Sequence, residues 1–350
     1  MIRLQAQPLN SVEDARTGLQ TAIELEFSTL PPYLYAKFSI LPDSNPEACD
    51  YLGAIVGQEM IHLCLACNIL NALGGTPALN SQSGSYPWPP LYPTTLPGDI
   101  GPPGGEPICV ELLPFSEAAT AQGMAIELPE NPLVFPELLA VQADDDTETI
   151  GQFYERLDAF LATLPASDWQ ADRNQISDDQ FFPGQLYPVN DYADAHRAIS
   201  QIVSEGEGSS ESPLDFQNEV SHYYRFKEMN LNKVLTKTPQ PPGYQYGPEP
   251  FGIDWSAVFP AIPNPSKHDF SNEPPAAQAA QAACNVAYSR MIDALQLAVT
   301  GAEGALGIAV RAMFDLRMAS LAALRVPLAD GRSVAGPSFI YIPNSGGASS

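Results

Sequence analysis

Two of the four histidines in this chain stand three residues after a glutamate, at Glu59-Met60-Ile61-His62 and Glu219-Val220-Ser221-His222. With 21 glutamates among 350 residues, two such hits would arise by chance in about two chains in a hundred, so the repeat asks for a cause. On an α-helix a residue and its i+3 neighbour share a face, so each motif aims a carboxylate and an imidazole at one point. Two such helices facing each other, joined by glutamates from neighbouring helices, build a carboxylate-bridged metal pair inside a bundle. The chain is therefore expected to be all-α, with a four-helix bundle at its centre.

Hydrophobic periodicity predicts helices over about 12–38, 46–73, 145–164, 192–205 and 214–235. The second closes at Gly74-Gly75, a common C-terminal signal. An alanine-rich stretch over 276–324 carries Gly301 and Gly304 and reads as two helices meeting at a bend. Residues 76–143 are dense in Pro and Gly and are expected to form one long crossover, packed down over a site rather than loose. Residues 238–275 are again proline-rich, with Tyr244, Tyr246, Phe251, Trp255 and Phe259. The expected organisation is a bundle over 1–240 with its crossover insertion, then a proline- and aromatic-rich segment and helical extension over 241–350, packed on the bundle. The Gly336 to Pro343 tail reads as a short extended segment.

Metal ligands in a bundle must lie on the buried stripe, which can be checked at 100° per residue. Glu26 shares its stripe with Leu19, Ala22, Ile23, Leu30 and Tyr33. Glu59 and His62 share theirs with Leu52, Ile55, Leu63, Ala66 and Leu70, and Glu219 and His222 theirs with Phe216, Tyr223 and Phe226. Unpaired carboxylates there would be costly, and coordination would offset that cost. The third helix fails the test, because Glu148, Gln152 and Glu155 lie opposite its apolar stripe of Ile150, Phe153, Tyr154, Leu157 and Leu161. The fourth carboxylate therefore stays open between Glu207, Asp146 and none. Tyr33, on the face of Glu26, reads either as a hydrogen-bonding partner of the centre or as a core tyrosine. His196 and His268 lack a partner pattern and read as surface or structural.

The formal charge of −25, from 16 basic and 41 acidic residues spread without a basic stretch, argues against nucleic acid and against an anionic membrane surface. The first residues lack an apolar run of signal-peptide length, so a cytoplasmic location is expected. Five cysteines, few and odd in number, suit a reducing compartment. Cys64 and Cys67 beside His62 read as small core residues. No glycine-rich phosphate loop and no Gly-x-Ser-x-Gly occurs, so nucleotide and acyl-serine chemistry have no support.

Several stretches carry a resemblance: Ile23-Glu24-Leu25-Glu26 with Pro32-Tyr33; Gly57-Gln58-Glu59-Met60-Ile61-His62-Leu63 through Asn68-Ile69-Leu70-Asn71-Ala72-Leu73-Gly74-Gly75; Thr149-Ile150-Gly151-Gln152-Phe153-Tyr154; Glu205-Gly206-Glu207-Gly208; and Ser221-His222-Tyr223-Tyr224-Arg225-Phe226. Together they resemble the ferritin-like domain of the iminophenyl-pyruvate dimer synthase type, found in bacterial bisindole pigment enzymes of the violacein and rebeccamycin pathways and in free-standing relatives. In the pigment enzymes the domain is part of a far longer polypeptide that couples two imine-type amino-acid derivatives oxidatively. The resemblance implies a ferritin-like four-helix bundle with additional C-terminal helices. Relatives often carry an acid where this chain has Gln152, and the family's Gly-Glu-Gly favours Glu207 as the missing carboxylate.

The expected function is thus a di-iron oxidoreductase that activates O2 to oxidise or couple a small aromatic or amino-acid-derived metabolite in secondary metabolism. Manganese or a mixed metal pair is the alternative to two Fe ions. Glu26, Glu59, Glu207 and Glu219 would supply carboxylates, His62 and His222 one nitrogen each, and Tyr33 a catalytic hydroxyl. The crossover and the aromatic 238–260 segment would form the substrate pocket. A homodimer is compatible with this reading, and no nucleic-acid or membrane partner is expected. The competing reading is a non-redox ferritin-like scaffold that binds a ligand, a partner or a metal.

Overall fold

The computed structural model describes residues 2–80, 88–102, 105–129, 147–178, 180–208, 212–239 and 243–343. Eight α-helices dominate them: α1 (Val12–Ser39), α2 (Pro46–Ala72), α3 (Glu117–Ile126), α4 (Ile150–Leu161), α5 (Tyr192–Glu207), α6 (His222–Leu231), α7 (Pro275–Val299) and α8 (Ala305–Ala323). The strands are short, pairing as three two-stranded antiparallel ladders: Leu4–Gln5 with Thr147–Glu148, Thr94–Thr95 with Cys109–Val110, and Leu235–Lys237 with Tyr244–Tyr246. This is the all-α architecture expected.

Helix α1 starts where Ser11 accepts a hydrogen bond from the Asp14 N–H at 3.2 Å, with Glu13 and Asp14 in the first turn to match the helix dipole. It then runs through Pro31 and Pro32. Proline lacks the N–H that would bond the carbonyl four residues back. The hydroxyl of Tyr92, from the crossover, donates to the Ser28 carbonyl at 2.6 Å and takes the place of the Pro32 N–H. Helix α2 opens with Pro46 at its first turn and closes at Gly74, whose φ of 79° suits glycine. Its inner face carries Asn68 and Asn71, whose amides tie down the carbonyls of Ile176, Tyr187 and Val299 at 2.8 to 2.9 Å.

Helix α4 begins at residue 150 rather than 145, and Thr149 and Gln152 form a reciprocal capping box. Gln152 is thus engaged at a helix terminus, its side chain accepting from the Thr149 N–H at 2.9 Å. Helices α1 and α2 pack as a hairpin, α4 pairs with α5, and α5 lies against α2, closing the bundle. Helix α6, predicted to begin near residue 214, starts only at His222. Inside the crossover, α3 docks on α6 through Gly123, where an added Cβ would come within 2.5 Å of the Phe226 ring. Helices α7 and α8 form a second hairpin, turning through Gly301 and Gly304 as the sequence predicts. That hairpin covers the outer face of α1 and α2, with Tyr288 against Phe27 at 6.4 Å and Phe339 against Tyr288 at 5.3 Å between ring centroids. Residues 336–343 run alongside as irregular chain, not as a strand.

Candidate metal centre

Inside the bundle the inner faces of α1 and α2 present Glu26 and the Glu59/His62 pair, one helical turn apart and buried as the 100° test requires. Glu26, Glu59 and His62 each offer an atom to a common cluster, and Glu59, Glu127 and His222 do the same, all within 4.8 Å inside each group. Glu59 is common to both. Two subsites bridged by one carboxylate are what two metal ions side by side require.

The histidines are oriented for ligation. Nε2 of His62 lies 2.7 Å from Glu205 Oε2, and Nε2 of His222 lies 3.2 Å from Gln58 Oε1. Each acceptor holds the ring proton on Nε2 and leaves Nδ1 free to face the cluster, the arrangement of metal-ligating histidines. Nδ1 of His62 then stands 3.7 Å from Glu26 Oε2, and Nδ1 of His222 stands 2.9 Å from Glu59 Oε1 and 3.6 Å from Glu127 Oε2. Glu205 Oε1 is buried without a hydrogen-bond partner. The buried His222 Nδ1, beside two carboxylates at once, is aimed at a shared point between them. The donor set, mixed carboxylate and imidazole, fits iron or manganese. The two rings lie 5.7 Å apart at 28°.

Hydroxyl groups fix the carboxylates. Thr29 donates to Glu59 Oε2 at 3.0 Å, Tyr154 to Glu26 Oε1 at 2.8 Å and Tyr33 to Glu127 Oε1 at 2.5 Å. Burial and the charge of Glu127 push the Tyr33 phenol well above its ordinary pKa, so it stays protonated. Burial and repulsion from Glu127 raise the Glu59 carboxyl to about 8. Burial would lower His222, but Glu127 and Glu59 outweigh it and raise the imidazole to about 9. Burial likewise opposes a charge on Glu26, yet the adjoining His62 holds that carboxyl below its ordinary range. Among the described residues no lysine or arginine pairs with any of the four glutamates. A cavity of about 60 Å³ opens onto Glu26, Glu59, His62 and Glu127, walled by aliphatic side chains including Leu25, Leu96, Ile126, Leu128, Ile150 and Ile202.

Of the residues singled out from sequence, Glu26, Tyr33, Glu59, His62 and His222 converge here. Glu219 does not. It lies in the turn before α6, with its N–H bonded to Asp215 Oδ1, and its side chain, 58% exposed, pairs with Arg225 at 2.7 Å. The turn breaks the helical phase on which its inward placement rested. The side chain of Glu207 and the whole of Asp146 lie outside the described residues. Sequence reasoning missed Glu127, which caps the C-terminus of α3, and Glu205, fully buried in the last turn of α5. A signal existed for both: Glu127 follows Thr120 and Gly123 in phase, and Glu205 follows Ala198 and Ile202. Among the described residues, none of the aromatic 238–260 segment lines the cavity. Its Phe251 packs on Tyr51 and its Trp255 on Phe115. His196 pairs with Asp158 at the surface, and Cys64 and Cys67 are buried free thiols in the core.

Comparison with solved structures finds similarity to a ferritin-like protein from Caulobacter vibrioides, at a TM-score of 0.61 and 21% identity, over 95% of this chain and 100% of that one. At that identity the likeness is one of fold. Comparison with curated proteins gives no match. The ferritin-like family model matches residues 19–231, a span that holds all six side chains of the cluster. Covering more than half of the chain, that match shows that the protein belongs to the ferritin-like family.

Proposed function

We propose that this protein is a di-metal oxidoreductase, with two iron ions as first choice and manganese or a mixed pair as alternatives, which uses O2 to oxidise or couple a small aromatic or amino-acid-derived metabolite. The observation that carries this reading is the donor set of the centre. Glu26, Glu59, Glu127 and Glu205 bring four carboxyl groups together around two imidazoles whose Nδ1 atoms face inward. Without a metal, Glu59 and His222 keep protons that offset part of this buried charge, and two divalent cations would take the place of those protons, since burying such a set uncompensated costs several kcal/mol per ion.

When bound, a pair of such ions supplies one-electron chemistry with dioxygen. The chain's own residues set the conditions. Glu59 belongs to both ligand groups and would hold an ion in either. Glu205 and Gln58 keep the ring protons of His62 and His222 away from the ligating atoms. Tyr33 steadies Glu127 and keeps a proton beside it, and the aliphatic walls exclude water. The cavity is sized for a diatomic gas, since a benzene ring takes a cavity of about 150 Å³. An aromatic metabolite is therefore admitted by displacement of the crossover wall at Leu96, Ile126 and Leu128. The oxidative coupling chemistry of the iminophenyl-pyruvate dimer synthase type is the narrower form of this proposal.

The test is anaerobic reconstitution with Fe(II), metal content by plasma mass spectrometry, and O2 uptake at an oxygen electrode. About two irons per chain with O2 consumption is the expected result. Bound metal without O2 consumption favours the non-redox scaffold, and protein that binds no metal overturns both the pair and its chemistry.

A further inference from the structure

On the opposite side of the α1–α2 hairpin from the metal centre lies a second and larger cavity of about 370 Å³, enclosed by α1, α2, α7 and α8. The helices separate the two chambers by phase. Along α1, Glu26, Thr29 and Tyr33 face the metals, while Phe27, Leu30 and Leu34 face this cavity; along α2, Glu59 and His62 face one way, Met60, Ile61 and Cys64 the other. Its volume sits within the roughly 300–1,000 Å³ range of small-ligand pockets. Tyr288, Leu295, Val310 and Met313 complete an apolar lining from the C-terminal hairpin. Phe181 and Phe314 line it while remaining exposed, so it reaches the surface beside them.

Two of its lining residues are cationic, Lys37 and Arg317, and none is acidic. In a chain with 41 acidic and 16 basic residues this is a marked local reversal of sign. Lys37 is half-buried, donates to the Cys49 carbonyl, and feels the neighbouring charges of Arg317 and, oppositely, of exposed Asp50. Arg317 is exposed and forms no ion pair among the described residues. An apolar chamber with two cations and no carboxylate in its lining matches a molecule with an aliphatic body and an anionic end.

We infer that this cavity binds a medium- or long-chain aliphatic carboxylate, with the chain between the two helical hairpins and the carboxylate at Arg317 and Lys37. The site is distinct from the metal centre and does not rest on its chemistry. Titration calorimetry of the full chain with dodecanoate, and in parallel with dodecanol, tests it. Dodecanoate is expected to bind one per chain and more tightly than dodecanol. Arg317→Glu, at an exposed position, is expected to weaken dodecanoate tenfold or more and leave dodecanol unchanged, whereas Met313→Trp, which fills the chamber, weakens both. No binding of dodecanoate to the wild-type protein would overturn the inference. So would equal affinity for the acid and the alcohol, or affinities that neither substitution moves in variants whose circular dichroism matches the wild type.

Discussion

Glu59-x-x-His62 lies in the middle of α2, whereas Glu219-x-x-His222 straddles the N-terminus of α6. In the first, both side chains follow one helical phase and both reach the metal centre. In the second, only the histidine does. Its carboxylate partner comes instead from Glu127 at the end of α3 and from the shared Glu59. Spacing in sequence thus fixes spacing in space only where a helix runs unbroken beneath it. Around residue 219 the Asp215 side chain, which accepts from the Gln217 and Glu219 N–H groups, builds a turn that sends the glutamate outward to Arg225.

The strongest way to break this contrast is Glu59→Ala. As the one carboxylate in both subsites, its loss is expected to take metal content from about two per chain to near zero, read by plasma mass spectrometry. Retention of both ions would show that Glu59 is not the bridge. His222→Ala sharpens the contrast by removing one subsite while leaving Glu26, Glu59 and His62 in place. About one ion per chain is the expected stoichiometry, and two would place His222 outside the coordination shell.

Metal removal exposes the next effect, through pH. The folded values of Glu59 and His222 are both raised, to about 8 and about 9 from 4.5 and 6.5. The metal-free fold therefore holds protons that the unfolded chain releases. The stability this contributes is complete below the unfolded values and is lost as pH rises through about 8 and about 9. Each retained proton gives a slope of about 1.4 kcal/mol per pH unit. Thermal melts of the metal-free protein are expected to fall in midpoint across that window, and melts of the metal-loaded protein to fall less, because the ions replace those protons. Parallel pH profiles would remove the two groups from the site. The smallest effect on the centre belongs to Glu219→Ala: metal content unchanged, with stability lowered by about 1–3 kcal/mol because the buried Arg225 loses its carboxylate partner. Loss of an ion in that variant would restore Glu219 to the centre.

The parts legible in the sequence were those on long helices with a regular apolar stripe. Glu26, Tyr33, Glu59 and His62 were found because α1 and α2 keep phase for 28 and 27 residues. His222 was found on a helix assumed to start too early, and its burial survived that error because it stands beside Tyr223, Tyr224 and Phe226, all buried. Glu127 was hidden by composition. The phase it shares with Thr120 and Gly123 spans only a ten-residue helix inside a Pro- and Gly-rich crossover, and it gains a site role only where that helix docks against α6. The phase of Ala198 and Ile202 along α5 points to Glu205, whereas the Gly-Glu-Gly motif points to Glu207, whose side chain lies outside the described residues.

The crossover's grip on the centre has a consequence for how the protein matures. Glu26, Glu59 and His62 belong to one helical hairpin, so their subsite needs only the short loop between α1 and α2 to close. The other subsite needs α3 to seat on α6 through Gly123 and Phe226, bringing together positions 59, 127 and 222. Because long-range closure comes late and local pairing early, the group of Glu26, Glu59 and His62 is expected to assemble before the group of Glu59, Glu127 and His222. The second group is completed only when α3 docks, so the seating of Gly123 against Phe226 decides when Glu59 gains Glu127 and His222 as neighbours.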